Sequence, residues 1–131
     1  MSDDALDPTA LRSYAAVLVV SSVPDAIDWY TNHLALDEGF RYGDPVTFGG
    51  VCKGGITIHL QAASETPRPV GGSSLSIFVG DAMAMHQRLV DRGLEIEVPP
   101  APRDYGLIDF SVLDPDGNRL VFGSDVEGQP H

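Results

Sequence analysis

Four residues of the chain, His59, Asp109, Ser76 and Arg119, have side chains that could support acid–base or ion-pair chemistry. A histidine beside a carboxylate or a hydroxyl is a common general base, so His59 with Asp109 and His59 with Ser76 are candidate pairs. Their spacing along the chain does not show that the members of a pair touch. Two interpretations of His59 therefore stay open, a hydrogen-bonded structural histidine and a ligand-contacting one.

The cysteine count and the charge limit the other kinds of chemistry. Cys52 is the single cysteine of the 131 residues, so an intrachain disulfide and a cysteine-based zinc cluster are excluded. The formal net charge is −11 at pH 7. This balance argues against a nucleic-acid partner, because binding to phosphates requires clustered Lys and Arg. An acidic field favours cationic ligands, although it also simply keeps a protein soluble.

The elements that would position these side chains occur twice in the same order. "YAAVLVVSS" predicts a buried strand, and "VPDAIDWYTNHLAL" predicts a helix with Ser22 as its N-cap and Pro24 in its first turn. Three short strands follow around "GFRY", "VTFGGVCK" and "GITIHLQ". The second half repeats the order with the strand "SSLSIFV" and a helix capped by Asp81 and ended by Gly93. Its last strands are "EIEV", "YGLIDFSVLD" and "RLVFGS", with a Pro-rich bend at 99–102 after the first of them.

The repeat predicts an α+β fold of two tandem βαβββ modules in one domain over residues 13–124. The predicted parts are modules at about 13–61 and 73–124, a linker at 62–72, a loose N-terminal arm at 1–12 and a C-terminal tail at 125–131. No apolar run approaches the roughly 20 residues of a membrane-spanning helix. The first residues also lack the basic and apolar regions of a secretory signal. We therefore expect a cytoplasmic protein with no membrane partner.

Strand alternation divides each predicted sheet into an apolar face and a mixed face. The apolar faces must carry the two amphipathic helices. A mixed face is typical of a ligand cavity, which has apolar walls and a few polar groups, and a solvated outer face gives the same pattern. On these faces Asp109 is the natural partner of a ligand cation, unless Arg119 already neutralises it. The candidate ligand-binding residues on the mixed faces are Val17, Phe48, Thr57, His59, Ser76, Phe78, Asp109, Ser111 and Arg119.

The sequence resembles the vicinal oxygen chelate superfamily, which includes glyoxalase, fosfomycin-resistance enzymes, extradiol dioxygenases and bleomycin-resistance proteins. The resemblance covers about residues 13–124. It is carried by the duplicated module, by "VPDAIDWYTNHLAL" and by the ending "YGLIDFSVLDPDGNRLVF". Within that ending "DPDGN" is a structural turn, in which Gly117 can take a positive φ. The resemblance implies that the two modules form a curved, half-open barrel around a cavity.

The resemblance also implies where a metal would bind. In metal-dependent members the ligand positions map onto Ala15, His59, Ser74 and Val121. Ala15 and Val121 carry no donor atom, and Ser74 is a poor neutral ligand, so His59 alone cannot hold a catalytic ion. We therefore expect no metal and no cofactor, as in the metal-free, bleomycin-resistance-like branch.

Two functions of different classes follow from the resemblance. The first is a homodimeric protein that binds and sequesters a small molecule, either a cationic or an aromatic antibiotic, without metal chemistry. The second is a metal-dependent or metal-independent lyase, isomerase or dioxygenase, in the metal-independent case with His59 as acid or base. The missing metal donors favour the first function, and the enzymatic bias of the superfamily favours the second. The identity of the ligand is not encoded in any motif of the sequence.

Overall fold

The predicted order of strand, helix and three strands is confirmed in both halves of the chain. The computed structural model describes residues 7–126. The first module consists of β1 (Ala16–Val20), α1 (Val23–Leu34), β2 (Asp37–Tyr42), β3 (Phe48–Lys53) and β4 (Ile56–Ala62). A short 3-10 helix at Ala63–Glu65 leads out of it. The second module consists of β5 (Ser74–Phe78), α2 (Ala82–Asp91), β6 (Val98–Pro102), β7 (Leu107–Leu113) and β8 (Arg119–Asp125).

Both helices begin at the predicted caps. The Ser22 hydroxyl accepts a backbone N–H of α1 at 3.3 Å, and Pro24 lies in the first turn. The Asp81 carboxylate accepts two backbone N–H groups of α2, at 3.0 and 3.2 Å. α1 ends at Leu34, and its C-cap Ala35 has a φ of 56°, in the left-handed region that usually selects glycine.

Each module folds into an open four-stranded sheet, and neither sheet closes into a barrel. The strand orders are β1-β4-β3-β2 and β5-β8-β7-β6, with the first pair of each sheet parallel and the others antiparallel. The helices pack on one face of the sheets, where one continuous apolar core forms. Its larger members are Leu18, Val20, Ile27, Tyr30, Ile58, Leu60, Leu89, Phe110, Val112, Leu120 and Phe122. Among residues 7–126, no helix packs on the opposite, mixed face of the sheet of its own module.

The first strand after α2 differs from the prediction. The sequence predicts a strand at "EIEV" and a bend at 99–102, whereas β6 occupies Val98–Pro102. Because β6 is an edge strand, its prolines, which lack an N–H, can be accommodated without breaking a central ladder. The shift leaves Glu97 beside β7, where its backbone N–H donates to Ser111 O at 2.9 Å.

The "DPDGN" turn connects β7 to β8 and also joins the two modules. The Tyr30 hydroxyl of α1 donates to Asp114 Oδ2 at 2.8 Å. Asn118 Nδ2 donates to the same oxygen at 2.9 Å and to Val19 O at 3.3 Å. Gly117 takes a φ of +95°, as its place in the turn predicts. Tyr30, Asp114 and Asn118 are all buried, so these hydrogen bonds hold one sheet against the other.

The ends of the chain are described only in part. Residues 1–6 of the predicted arm and 127–131 of the predicted tail lie outside the described residues. Of the arm, Asp7 and Thr9 form a turn closed by a hydrogen bond of 2.7 Å between their side chains. β8 continues one residue into the predicted tail, to Asp125. Between residues 7 and 126, no helix is long and apolar enough to cross a membrane.

Candidate ligand-binding faces

The mixed face of the first sheet carries a row of side chains that runs across all four strands. His59 in β4 pairs with Val17 in β1 on one side and with Gly50 in β3 on the other, and Gly50 pairs with Phe40 in β2. Val17 is 47% exposed on this face. Thr57, two residues before His59 and on the same face of β4, is also exposed.

Aromatic rings fill the centre of this row. The His59 ring makes edge contacts with Phe40 and Phe48, at centroid distances of 5.5 and 5.2 Å, and the two phenyl rings lie 5.3 Å apart. A Cβ added at Gly50 would overlap the Phe40 ring. Only glycine therefore lets the Phe40 ring lie on the backbone beside His59. Sequence reasoning missed Gly50 and Phe40, because only the register shows that they face each other.

A shallow groove opens beside this aromatic cluster. Its volume is about 290 Å³, and it is lined by Tyr42, Thr47, Phe48, Gln61 and Glu65. The Tyr42 ring is 70% exposed at one side of the groove. Small-molecule sites generally measure roughly 300–1,000 Å³, so this groove is at the lower limit.

The mixed face of the second sheet carries an equivalent row across its four strands, made of serine and valine side chains. Val121 in β8 pairs with Ser76 in β5 and with Ser111 in β7, and Ser111 pairs with Val98 in β6. A groove of about 270 Å³ runs along this face. Its lining is Ser76, Ile77, Phe78, Tyr105, Leu107, Asp109, Val121 and Gly123. Phe78 and Tyr105 are 60% and 66% exposed, and they present aromatic surface to the groove.

Asp109 supplies the carboxylate in the lining of this groove, and it is 8% exposed. Arg103 Nε donates to Asp109 Oδ1 at 2.7 Å, and Arg103 Nη2 donates to the Asp109 backbone oxygen at 3.1 Å. The Tyr105 hydroxyl donates to Asp109 Oδ2. This hydrogen bond raises the pKa of Tyr105, so the phenol stays a donor at neutral pH. The sequence suggested Arg119 as the neutralising partner of Asp109, and the structure places Arg103 there instead.

Arg119 belongs to a second ion pair on the same face. Its Nε and Nη2 donate to the two carboxylate oxygens of Glu97, each at 2.8 Å. The Ser111 hydroxyl donates to Glu97 Oε1 at 2.7 Å. The hydrogen bonds from Arg119 and Ser111 lower the pKa of Glu97 to about 2. Glu97 was not among the site residues predicted from the sequence, because its contact with Arg119 joins residues 22 positions apart.

Within residues 7–126, the predicted lining residues that border a groove are divided between two grooves, one in each module. Phe48 belongs to the groove of the first module, and Ser76, Phe78 and Asp109 belong to that of the second. A further groove of about 360 Å³, lined by Glu95, Ile96, Glu97 and Leu113, also belongs to the second module alone. His59 lies in the first sheet, and its proposed partners Asp109 and Ser76 lie in the second. Neither general-base pair is hydrogen-bonded within residues 7–126.

The residues present do not fit a divalent metal. The mapped positions are equivalent in the two modules. In the first, His59 pairs with Val17, two residues after Ala15. In the second, Val121 pairs with Ser76, two residues after Ser74. Only His59 among them has a strong donor, and its ring packs against phenylalanines. In the part of the chain that the structure describes, no three His, Cys, Asp or Glu side chains are grouped as a metal site requires.

Comparison with known families identifies the class of protein that this fold and these faces define. The family model described as Glyoxalase/Bleomycin resistance protein/Dioxygenase superfamily matches residues 11–122. The chain therefore belongs to this superfamily, which confirms the resemblance found in the sequence. A comparison with curated protein sequences finds no significant match.

Solved structures with the same fold include a bleomycin-binding protein, TioX and a lactoylglutathione lyase. The bleomycin-binding protein of Streptomyces verticillus, solved with copper(II)-bleomycin, has 26% identity and a TM-score of 0.71, covering 86% of this chain and 94% of its own. TioX from Micromonospora sp. ML1 has 19% identity and a TM-score of 0.75, covering 88% of this chain and 100% of its own. Lactoylglutathione lyase from Agrobacterium tumefaciens has 16% identity and a TM-score of 0.74, covering 89% and 95%. The likeness to these last two is one of fold alone.

Proposed function

We propose that this protein binds and sequesters a small aromatic molecule, of the kind that aromatic antibiotics represent, on the mixed faces of its two sheets and without metal chemistry. The observation that carries the proposal is the concentration of accessible aromatic rings on these faces. Phe48 and His59 line the first, and Phe78 and Tyr105 line the second. Aromatic rings beside a few oriented polar groups are what small-molecule sites generally offer.

The bleomycin-binding protein of Streptomyces verticillus supports a binding function, since it has the same fold and 26% identity with this chain. A metal-dependent enzyme is less well supported. Of the four positions at which the superfamily would hold a metal, three in this chain are Ala15, Ser74 and Val121, which offer at most one hydroxyl. His59, the fourth, has aromatic neighbours and no carboxylate partner within the described residues, so it is poorly placed as a general base.

We further propose that the binding unit is a homodimer. Each groove is about 270–290 Å³, at the lower limit for a small-molecule site, and each is lined by one module only. Val17, Tyr42, Phe78 and Tyr105 are between 47% and 70% exposed on the two faces. A second copy would cover this apolar surface and deepen the grooves. Sedimentation at micromolar concentration should give twice 14.0 kDa, and a 14.0 kDa species would contradict the dimer.

A titration calorimetry and thermal-shift screen tests the function. The ligands are bleomycin and the tricyclic acridone, compared with the hemithioacetal of methylglyoxal and with catechol in the presence of Zn²⁺, Ni²⁺, Mn²⁺ or Fe²⁺. Saturable stabilisation by an antibiotic or by acridone, in EDTA and without product, is expected. Phe78→Ala and Phe48→Ala should weaken it. Met83→Ala, which removes an exposed apolar side chain of α2, is the matched control and should not.

Turnover of the hemithioacetal or catechol would replace the binding function with the enzymatic one. Binding that required an added metal would contradict the metal-free part of the proposal. Full retention of affinity in both phenylalanine variants would place the ligand elsewhere on the molecule.

A further inference from the structure

Two carboxylates on the mixed face of the second sheet, Asp109 and Glu97, are each paired with an arginine. Asp109 is paired with Arg103 at 2.7 Å, and Glu97 is paired with Arg119 through two hydrogen bonds of 2.8 Å. The remaining accessible acceptor of Asp109, Oδ2, is bonded to the Tyr105 hydroxyl. The two carboxylates and the two guanidinium groups of these pairs therefore balance one another, although the chain carries −11.

From this balance we infer that the second face selects an uncharged planar aromatic ligand, and that Arg103 is the residue that sets this preference. The inference rests on the proposed function and narrows it, since a cationic ligand was the other class open from the sequence. Asp109 is 8% exposed and each of its carboxylate oxygens already accepts a hydrogen bond, so a cation at Asp109 would compete with Arg103 and the Tyr105 hydroxyl. Separating a largely buried ion pair leaves an uncompensated charge, which is strongly unfavourable. A neutral ring can instead stack on Phe78 and Tyr105 and leave both ion pairs intact.

The acidity of the whole chain does not alter this selection. Charges on the outer surface are screened over about 10 Å at 0.1 M salt. They raise the rate at which cations meet the protein more than they raise affinity inside a neutral groove. The ligand preference is therefore set by the contacts within the groove.

Arg103 lies directly after β6 and reaches Asp109 from the edge of the sheet, so its charge can be removed without changing the groove lining. In Arg103→Gln the Asp109 carboxylate keeps Tyr105 but loses its counter-charge, and the groove gains a net negative charge next to Phe78. This variant should acquire a preference for cations. The double variant Arg103→Gln/Asp109→Asn should lose that preference again, because the groove is then neutral.

Three probes of similar shape and different charge test the inference: acridone (neutral), 9-aminoacridine (cationic at pH 7) and acridine-9-carboxylate. Affinities are measured by fluorescence titration and calorimetry from about 0.05 M to about 0.3 M salt. The native protein should bind acridone about tenfold more tightly than 9-aminoacridine, with little salt dependence. Arg103→Gln should reverse the order and make cation binding weaken with salt. Arg41→Gln, which breaks an ion pair with Glu38 at 2.9 Å in the first module, is the matched control and should behave as native.

The outcomes separate the two proposals. If native protein prefers 9-aminoacridine about tenfold, the inference about charge is wrong while aromatic binding stands. If Arg103→Gln is folded by its thermal transition and still prefers acridone, Arg103 does not set the preference. If none of the three probes binds saturably, the proposed function itself fails, and the inference fails with it. The native preference is decisive even when Arg103→Gln does not fold.

Discussion

Replacing Tyr30 with phenylalanine removes one hydrogen bond between the two modules and keeps the ring. In the native protein the Tyr30 hydroxyl donates to Asp114 Oδ2 at 2.8 Å, and Tyr30 and Asp114 are 0% and 4% exposed. Burial and the Asp114 carboxylate raise the pKa of Tyr30 well above its usual range, so the phenol is always the donor. A hydrogen bond to a charged group contributes about 1.5–3 kcal/mol. The Tyr30→Phe variant should lose that amount, because Asp114 Oδ2 keeps only the bond from Asn118.

The expected loss corresponds to a fall in melting temperature of about 5–10 °C for a chain of this size. Urea unfolding, followed by Trp29 fluorescence and by circular dichroism, measures the loss of unfolding free energy. Trp29 is the single tryptophan, and its ring lies 4.9 Å from that of Tyr30, so its emission reports the first module. Circular dichroism reports both modules. Because Tyr30→Phe weakens the joint between them, the two transitions should coincide in the native protein and separate in the variant.

Tyr42→Phe is the matched control, since Tyr42 is 70% exposed, and it should change stability by less than about 0.5 kcal/mol. A loss in Tyr30→Phe as small as that of the control would refute the reasoning. It would mean that the buried contact between α1 and the "DPDGN" turn adds nothing to the joining of the modules.

Three further predictions concern other parts of the molecule. Ala35→Gly should stabilise the protein by about 1 kcal/mol in urea unfolding, because φ at this position is 56° and glycine adopts it without strain; a loss of stability would contradict this. Gly50→Ala should destabilise by roughly 1–3 kcal/mol and move the Phe40 ring away from His59, seen as a shift of the His59 ring resonances in NMR, and unchanged resonances would refute the packing. In the folded protein the pKa of Glu97 is about 2, below its ordinary value of 4.5. The ionised Glu97 carboxylate therefore stabilises the fold fully above pH 4.5, and this stabilisation is lost as the pH falls towards 2. The difference in melting temperature between native protein and Glu97→Gln should shrink over that window, and a difference that does not depend on pH would contradict it.

Local features of the fold could be predicted from the sequence because they depend on neighbouring residues. Ser22 and Asp81 cap helices through contacts two or three residues away. Strand alternation placed Phe110 and Phe122 on the helix side and Val121 on the mixed side, which the structure confirms. β6 was misplaced because proline disfavours strands in general, and the exception for an edge strand depends on its place in the sheet.

The arrangement of the site could be predicted only in part, because it depends on contacts between elements. Alternation identified Asp109 as a residue of the mixed face, but its partner Arg103 comes from outside the strands and cannot be read from any periodicity. The same holds for Glu97 with Arg119, which are 22 positions apart. The role of Gly50 depends on the Phe40 ring of the neighbouring strand β2, and this contact could not be predicted from the sequence alone.

Mapping of amide chemical shifts during titration with acridone tests the central claim, aromatic binding on the mixed faces without a metal, most directly. In EDTA, we predict saturable shifts confined to mixed-face positions of β3, β4, β5 and β8, among them Gly50, His59, Ser76 and Gly123. Core positions such as Leu60 and exposed α2 positions such as Met83 should not respond. Shifts that appear only after a divalent metal is added, or that cluster on the helices, would contradict the account.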